Sequence, residues 1–372
     1  MKIYFRGGAI CLALTLIVLT QGCNKKFVDQ QLKDFEQVNL VANNSGAGAG
    51  LVDPTLQNAW GLAWAPSGIA WVNSQAGHVS ELYTGAGASV RAPVKIPSPM
   101  DTVGGNPTGI VFNSVAGFTL SNGSKALFLF VGLDGILSGW NGAANTRALL
   151  VKDNSPTSVY TGLALDSSGG KKYLYAANFG TGKIDVWDTG FVPVTWMPFH
   201  DPAIPAGYAP FNIWAWGPWL YVTYAKVGPG GHEAVGSGEG FVDVFKTDGS
   251  WASRFASRGV LDAPWGVAVT PAGFLNANNM NTSMSEGGGK VNIASEALVL
   301  IGNFGDGKIN VFTQNGFFLG QLQSNKKTIV IDDLWALSFP PATATSIDPN
   351  RLYFTAGPDG EKNGLFGYLI KD

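Results

Sequence analysis

A phrase of about ten residues occurs twice in this chain, and the repeat constrains the fold more than any other feature. The stretch "NFGTGKIDVW" begins at Asn178, and "NFGDGKINVF" begins at Asn303. Shorter phrases that match the start of the same unit recur at intervals of 48 to 54 residues, with 70 residues before the last. They are "AWGLAW" (59–64), "PTGIVF" (107–112), "YTGLAL" (160–165), "FNIWAW" (211–216), "PWGVAV" (264–269) and "LWALSF" (334–339). A period of this length is typical of β-propeller blades, and six copies predict six blades.

Each unit also has the pattern of several strands. A second run rich in aromatic and β-branched residues follows the start, then a Gly-rich turn, then a third run in which apolar and polar residues alternate. Alternation predicts a half-exposed strand, and a continuous apolar run predicts a strand packed on both faces. A weaker fourth run follows, such as "WASRFAS" at 251–257. We therefore predict an all-β fold: one six-bladed β-propeller of four-stranded blades over residues 36–372.

The last unit stops after its third strand. The strand-like segment "FEQVNLVAN" at 35–43 belongs to no unit. If it pairs as the outermost strand of the sixth blade, it closes the ring and protects an open sheet edge. We predict this closure.

The first 22 residues have the pattern of a signal peptide. Lys2 and Arg6 precede an uncharged apolar run that is too short to span a bilayer. The sequence "LTQGC" that follows resembles a bacterial lipobox, with Thr20 where Leu is usual, and this resemblance implies that Cys23 is lipidated. An ordinary cleaved signal and an uncleaved anchor are the alternatives.

Residues 23–35 are predicted to form a polar tether between the lipid and the propeller. A lipid anchor places the protein in the cell envelope, on the outer membrane or the periplasmic side, and without lipidation of Cys23 it is secreted. The second cysteine, Cys11, lies inside the signal, so we expect no disulfide bond.

The charge of the chain argues against nucleic acid as a partner. It has 24 basic and 26 acidic residues, a net charge of -2, and no basic cluster. Nucleic-acid binding needs a cationic patch. We expect a monomer that contacts the membrane through its lipid only.

Several of the quoted phrases together resemble a known family. "NAWGLAWAP", "APWGVAVTPAGF", "LIGNFGDGKINVF" and "IDDLWALSF" are similar to sequences of an uncharacterised bacterial family of exported six-bladed β-propeller proteins with NHL or TolB-like repeats. The resemblance covers about residues 37–370. It implies the fold and a place outside the cytoplasm, but it implies no activity and no catalytic residues.

Polar residues in the loops between second and third strands are the first candidate site. In propellers these loops share one face with the starts of the inner strands, where ligands commonly bind. The residues expected around this mouth are Asn73, His78, Asp134, Asn178, Asn303, Asp306 and Asp359, with Glu361 nearby. Their oxygen atoms suit a hard cation such as Ca²⁺. Alternatively, they hydrogen-bond the backbone of their own turns.

Aromatic residues at the starts of inner strands are a second candidate. Trp60, Trp265 and Trp335 share one register. Rings around a channel mouth can stack on a sugar or another flat ligand, or they can wedge between blades. His200, His232 and the long Gly-rich loop 225–240 are predicted to lie at the same face, where the loop is a candidate for ligand recognition.

No motif for a nucleophile or a phosphate loop is present in the sequence. The sequence therefore favours an exported propeller, lipid-anchored at Cys23, that binds a small molecule, a glycan or a protein. A metal-assisted hydrolase or lyase acting on a lactone or glycan is the alternative, and a structural subunit of an envelope assembly is a third hypothesis.

Overall fold

The computed structural model describes residues 30–272, 274–275, 283–286, 289–292 and 296–371. Six small sheets surround a central axis as the blades of a six-bladed β-propeller, which confirms the predicted fold class. The predicted signal peptide, Cys23 and most of the tether lie outside the described residues. None of the helices in the described ranges is long and apolar enough to cross a membrane.

The strands of each blade run from the inner, first strand to the outer, last strand. Blades 1 to 3 contain Ala59–Trp64, Ala70–Ser74, Val79–Tyr83 and Val94–Lys95; Pro107–Phe112, Phe128–Gly132, Ile136–Trp140 and Leu149–Asp153; and Tyr160–Ser168, Lys171–Asn178 and Lys183–Asp188. Blades 4 to 6 contain Tyr208–Trp216, Trp219–Val227, Gly240–Lys246 and Trp251–Ser257; Pro264–Val269, Val299–Asn303, Ile309–Phe312 and Phe318–Gln321; and Leu334–Ser338, Leu352–Ala356, Leu365–Lys371 and Phe35–Ala42.

A few short elements lie outside this pattern. Glu233–Ala234 pairs with the second strand of blade 4, and Leu51–Val52 runs parallel to the last strand of blade 6. The remaining elements are the hairpins Ser283–Glu286 with Gly289–Asn292 and Gln323–Ser324 with Lys327–Thr328, and the 3-10 helices Ser45–Ala47, Gly142–Ala144 and Pro229–Gly231.

The N-terminal strand closes the ring as predicted. It pairs antiparallel with the third strand of blade 6, from Phe35 opposite Lys371 to Ala42 opposite Leu365. Phe35, Val41 and Ala42 are buried, so the strand adds core as well as hydrogen bonds.

The repeated glycine of the sequence phrase is required by the contact between blades. A Cβ atom on Gly61 would lie 2.1 Å from the carbonyl oxygen of Thr108 in blade 2, and one on Gly162 would lie 2.1 Å from Asn212 Oδ1 in blade 4. In blade 4, Asn212 takes the place of the glycine, and its amide nitrogen donates to the carbonyl oxygen of Trp265 at 2.8 Å. The repeat therefore records how closely neighbouring inner strands approach.

Hydrophobic side chains fill the space between neighbouring blades. Trp71 of blade 1 stacks on Phe128 of blade 2 with ring centroids 4.0 Å apart, and Leu129 of blade 2 shares a buried cluster with Leu163 of blade 3. Because both faces of most blades are apolar, a single blade cannot bury its own surface. The ring is the unit that folds.

Blade 3 has three strands where we predicted four. The segment 189–207 that follows its third strand contains four prolines, Pro193, Pro198, Pro202 and Pro205. Proline has no N–H to donate to a ladder. The segment pairs only briefly, when Val194 N–H donates to the carbonyl oxygen of Val186 at 2.8 Å, and then crosses to blade 4, where Phe199 N–H donates to the carbonyl oxygen of Gly249 at 3.0 Å.

Candidate functional site

The three predicted tryptophans meet at the centre of the ring. Trp60 and Trp335 stack with centroids 3.5 Å apart, and Trp265 meets both edge-on at 6.4 and 5.9 Å. The indole N–H of Trp265 donates across the axis to the carbonyl oxygen of Thr161 in blade 3 at 3.0 Å. All three are at most 5% exposed. These rings, which we call the aromatic plug, pack on one another and close the channel at this depth.

Three predicted polar residues bind the backbone close to their own turns. Asp134 accepts from the N–H groups of Ile136 and Asn106, at 3.4 and 3.0 Å. Asn178 Oδ1 accepts from Thr181 N–H at 3.2 Å and from Val159 N–H at 3.1 Å. Asp306 accepts from Lys308 N–H at 3.2 Å and pairs with the Lys308 ammonium at 3.0 Å.

Among the remaining predicted residues, Asn303 contacts a member of the same set, because its Nδ2 donates to Asp306 Oδ1 at 2.9 Å. Asn73 is fully buried and donates to the carbonyl oxygen of Thr108 at 2.9 Å, which joins blades 1 and 2. Asn303 donates to the carbonyl oxygen of Val260 at 2.8 Å. His78 is exposed, with Nδ1 2.9 Å from the carbonyl oxygen of Gly105, and Asp359 is an exposed partner of Lys362 at 3.7 Å.

The structure does not gather these polar residues into one set of ligands. Among the described residues, no group of three or more His, Cys, Asp or Glu side chains is arranged to hold a metal ion. The side-chain oxygens of Asp134, Asn178 and Asp306 that are predicted to bind Ca²⁺ instead accept hydrogen bonds from backbone N–H groups.

A different set of side chains forms the mouth above the aromatic plug, with Asn58 at its centre. Asn58 Oδ1 accepts from the indole N–H of Trp335 at 2.8 Å. Its Nδ2 donates to Glu361 Oε2 at 2.6 Å and to Gln75 Oε1 at 3.0 Å. Gln75 in turn donates to Asn106 Oδ1 at 3.1 Å. One hydrogen-bonded chain thus runs along the mouth from blade 6 to blade 2.

Glu361 and Asp333 are neighbours at this mouth, because the backbone N–H of Glu361 donates to Asp333 Oδ2 at 3.1 Å. Burial, the charge of Glu233 and, to a smaller extent, that of Asp333 raise the pKa of Glu361 to about 7. Burial, with a smaller contribution from Asp333, also raises the pKa of Glu233, while the neighbouring His232 opposes that shift. Glu233 lies on the long loop of blade 4, and its charge acts on Glu361 in blade 6. We call Glu233, Asp333 and Glu361 the mouth carboxylates.

The backbone at the mouth is strained at equivalent positions of three blades. Asn58, Ala263 and Asp333 each precede an inner strand, and their φ values are 45°, 42° and 49°. Residues other than glycine rarely adopt this left-handed region, and such strain gathers at functional sites. The strain marks the same rim as the mouth carboxylates.

Sequence reasoning named Glu361 and His232 but missed Asn58, Glu233 and Asp333. A signal was present for two of them, because Asn58 and Asp333 both stand two residues before a repeated tryptophan. The position of Glu233 depends on the path of the loop, and the sequence pattern contains no signal for that path.

A closed six-bladed propeller with an aromatic plug below a polar mouth is the class of protein that the fold and this site define. The uncharacterized proteins R648 and L690 of Acanthamoeba polyphaga mimivirus are 30% and 31% identical to this chain over 352 residues. The aligned region is 90% of this chain and 80% and 86% of the two relatives. This chain belongs to the family of R648 and L690. No family model matches the sequence.

A solved structure shows the same fold at low sequence identity. A streptogramin B lyase structure has a TM-score of 0.51 and 11% identity, covering 91% of this chain and 97% of the lyase chain. A gluconolactonase of Xanthomonas campestris has a TM-score of 0.48 and 14% identity, covering 85% and 86%. The relatives named above are viral, so the attribution to a bacterial family stays a prediction.

Proposed function

We propose that the protein binds a small ligand at the mouth above the aromatic plug. The observation that carries this proposal is the hydrogen-bonded floor in which Asn58 joins Trp335, Gln75 and Glu361, with Asp333 bound to the backbone of Glu361. A hydrogen-bond donor or a positive charge placed between carboxyl groups that raise one another's pKa reduces the electrostatic repulsion between them. The ligand therefore carries an ammonium group or several hydroxyl or amide donors.

Thermal unfolding in the presence of small amines, neutral sugars and CaCl₂ tests this proposal. We expect at least one class to raise the melting temperature of the wild type, and the Glu361→Gln variant to lose most of that increase. Glu36→Gln, at an exposed carboxylate on the closing strand, is the matched control and keeps it. If no probe class raises the melting temperature, or if both variants respond alike, the mouth is not the binding site.

A metal-assisted hydrolase or lyase acting on a lactone or glycan is the second candidate function. A carboxyl group with a pKa near 7 is suited to general acid-base catalysis, and the fold is shared with a streptogramin B lyase. Turnover of a simple lactone and of streptogramin B, with and without Ca²⁺, separates this reading from binding alone. Loss of turnover in Glu361→Gln supports catalysis at the mouth carboxylates, and Ca²⁺-dependent turnover that is lost in Asp134→Ala or Asp306→Ala supports a metal at the loops between second and third strands.

We also propose that the protein is exported and anchored by a lipid at Cys23, is monomeric, and leaves nucleic acid unbound. Expression of the full chain in bacteria with radiolabelled palmitate tests the anchor. Label in the wild type and its absence from Cys23→Ala support the proposal. Label in both, or in neither, contradicts it.

A further inference from the structure

The outer edge of blade 3 is open over half its length. Asp188 N–H donates to the carbonyl oxygen of Val192 at 3.0 Å, and the carbonyl oxygen of Val186 accepts from Val194 N–H. Backbone groups of alternate residues point to the same edge of a strand. The N–H and C=O of Ile184 therefore point outward as well, and no strand of the described chain pairs there. The other five blades each have a fourth strand at this place.

A cavity of about 930 Å³ lies along this open edge. The strand residues Lys183 to Val186 form one wall, and the proline-containing segment 193–200 forms the other. Asn154, Ser158 and Asn178 are also part of the lining. Pro193 and Pro198 have no N–H to offer the open carbonyl groups. No residue of the described segment 193–200 is hydrogen-bonded to the backbone of Ile184.

Blades 4 and 5 show what the missing strand presents at this level. Asp185 in the third strand of blade 3 corresponds to Asp243 in blade 4 and Asn310 in blade 5, which occupy the same place in "KIDVW", "FVDVF" and "KINVF". Asp243 is opposite Arg254 on the fourth strand and forms an ion pair with it. Asn310 is opposite Gln321, whose amide donates to it at 2.9 Å. In both blades the fourth strand supplies a side-chain donor.

Asp185 has an acceptor available for the same purpose. Its Oδ2 atom accepts from the Tyr160 hydroxyl and from Asn178 Nδ2, both at 2.8 Å. The side chain lines the cavity, and both of these bonds use one oxygen, which leaves Oδ1 for a ligand. A cationic donor opposite Asp185 would reproduce the pairing of blade 4.

We propose that the open edge of blade 3 binds an extended peptide segment of a partner protein, which adds as the missing fourth strand and places an arginine opposite Asp185. Backbone hydrogen bonds to Ile184 supply the strand addition, and the arginine supplies specificity. This site lies on the outer side of the ring, apart from the mouth, and does not depend on the function proposed there.

A peptide copied from the protein's own blade 4 is a suitable probe. The fluorescently labelled heptapeptide WASRFAS, residues 251–257, is titrated with the purified protein and its binding is followed by fluorescence anisotropy. We expect saturable binding. Replacing the arginine of the peptide by alanine should weaken the affinity about tenfold, because a charge-assisted hydrogen bond is lost. This comparison leaves the protein unchanged.

Variants of the protein locate the binding edge. Asp185→Asn is expected to weaken binding of the arginine peptide about tenfold and to leave the alanine peptide unaffected. Asp185→Arg is expected to bind a peptide with glutamate in place of arginine. Asp101→Asn, an exposed carboxylate between blades 1 and 2, is the matched control and binds like the wild type.

Several outcomes overturn the proposal. Equal binding of the arginine and alanine peptides contradicts the role of Asp185. Binding that is unchanged in Asp185→Asn shows that the peptide displaces the strand of blade 4 instead. A wild-type dimer that Asp185→Asn dissociates makes a second copy of this chain the occupant, and failure of every peptide to bind, with neutral oligosaccharides binding instead, makes the cavity a glycan site.

Discussion

At the residue scale, Glu81 is a carboxyl group that the fold buries without a cation. It lies on the third strand of blade 1, is 1% exposed, and shares a hydrogen bond with the Thr55 hydroxyl, whose oxygen also lies 2.6 Å from Asp53 Oδ1. Burial, with a smaller contribution from Asp53, raises its pKa from 4.5 to about 7. Between these values the folded protein keeps a proton that the unfolded chain releases, so stability falls as pH rises through this window.

We predict that Glu81→Gln removes much of this pH dependence. Glutamine can still accept from Thr55 but carries no charge, so the variant should be more stable than the wild type at pH 8, by up to ~3 kcal/mol, and similar to it near pH 4.5. Urea unfolding at both pH values measures the difference. Glu36→Gln, on the exposed side of the closing strand, is the control, and an equal effect there would contradict the assignment to Glu81.

Gly162 tests the requirement for close contact between blades. We predict that Gly162→Ala destabilises the protein by roughly 1–3 kcal/mol, because its Cβ would overlap Asn212 of the next blade. Gly142→Ala is the control, since a Cβ there meets nothing within 4 Å. Denaturant unfolding of both variants measures the loss, and equal stability would show that the blades can move apart at no cost.

At the scale of the element, an ion-pair network fixes the segment that follows blade 3. Arg254 on the fourth strand of blade 4 pairs with Asp243 on the neighbouring strand and with Asp201 on the segment 189–207. Its guanidinium lies 4.6 Å from the ring centroid of Phe241. Asp201 and Asp243 are 3% and 0% exposed. Arg254 thus attaches a segment with few backbone hydrogen bonds to a regular blade.

We predict that Arg254→Met costs about 3–5 kcal/mol of unfolding free energy, because it leaves two buried carboxylates unpaired. Adding Asp201→Asn and Asp243→Asn to this variant should recover part of the loss. Arg258→Met, at an exposed arginine over the same Phe241 ring, is the control and should have a much smaller effect. If Arg254→Met and Arg258→Met unfold at the same urea concentration, the network contributes no stability.

Blade 3 lacks the fourth strand that the repeat predicts. The phrase "KIDVW" predicts its third strand correctly, and by analogy with the other units we expected a fourth strand. The prolines at 193, 198, 202 and 205 were visible in the sequence, and their missing N–H groups explain why a ladder does not form.

At the scale of the whole molecule, closure by the N-terminal strand connects the ends of the described chain. The strand Phe35–Ala42 buries apolar side chains against blade 6 and pairs along its full length. The sixth blade would otherwise expose the edge of its third strand. The stability of the ring therefore depends on a segment 323 to 336 residues away from its partner in sequence.

We predict that a variant beginning at residue 44 is destabilised by several kcal/mol, roughly what the apolar side chains of one strand contribute, and self-associates through the open edge. Size-exclusion chromatography with light scattering and urea unfolding measure both effects. A synthetic peptide of residues 30–43 should restore the monomer, whereas the same residues in scrambled order should not. A stable monomer without the peptide would show that closure is dispensable.

The sequence predicted the architecture better than the site. Repeated phrases mark the inner strands because every blade meets its neighbour in the same way, as Gly61 and Gly162 show. The site depends on loops that are not repeated, so Glu233 on the long loop of blade 4 could not be assigned to the same mouth as Glu361. The sequence marks Asn178 and Asp306 as polar turn residues. Only the structure shows that their side-chain oxygens already accept hydrogen bonds from nearby backbone N–H groups.

The aromatic plug makes the two faces of the ring chemically separate. Trp60, Trp265 and Trp335 fill the axis, and Trp265 reaches across to blade 3, so a solute at one face has no straight path to the other. The mouth is therefore open at one face of the ring and closed at its other end. A ligand that enters at the mouth must leave by the same opening, so a second ligand can bind only after the first has left.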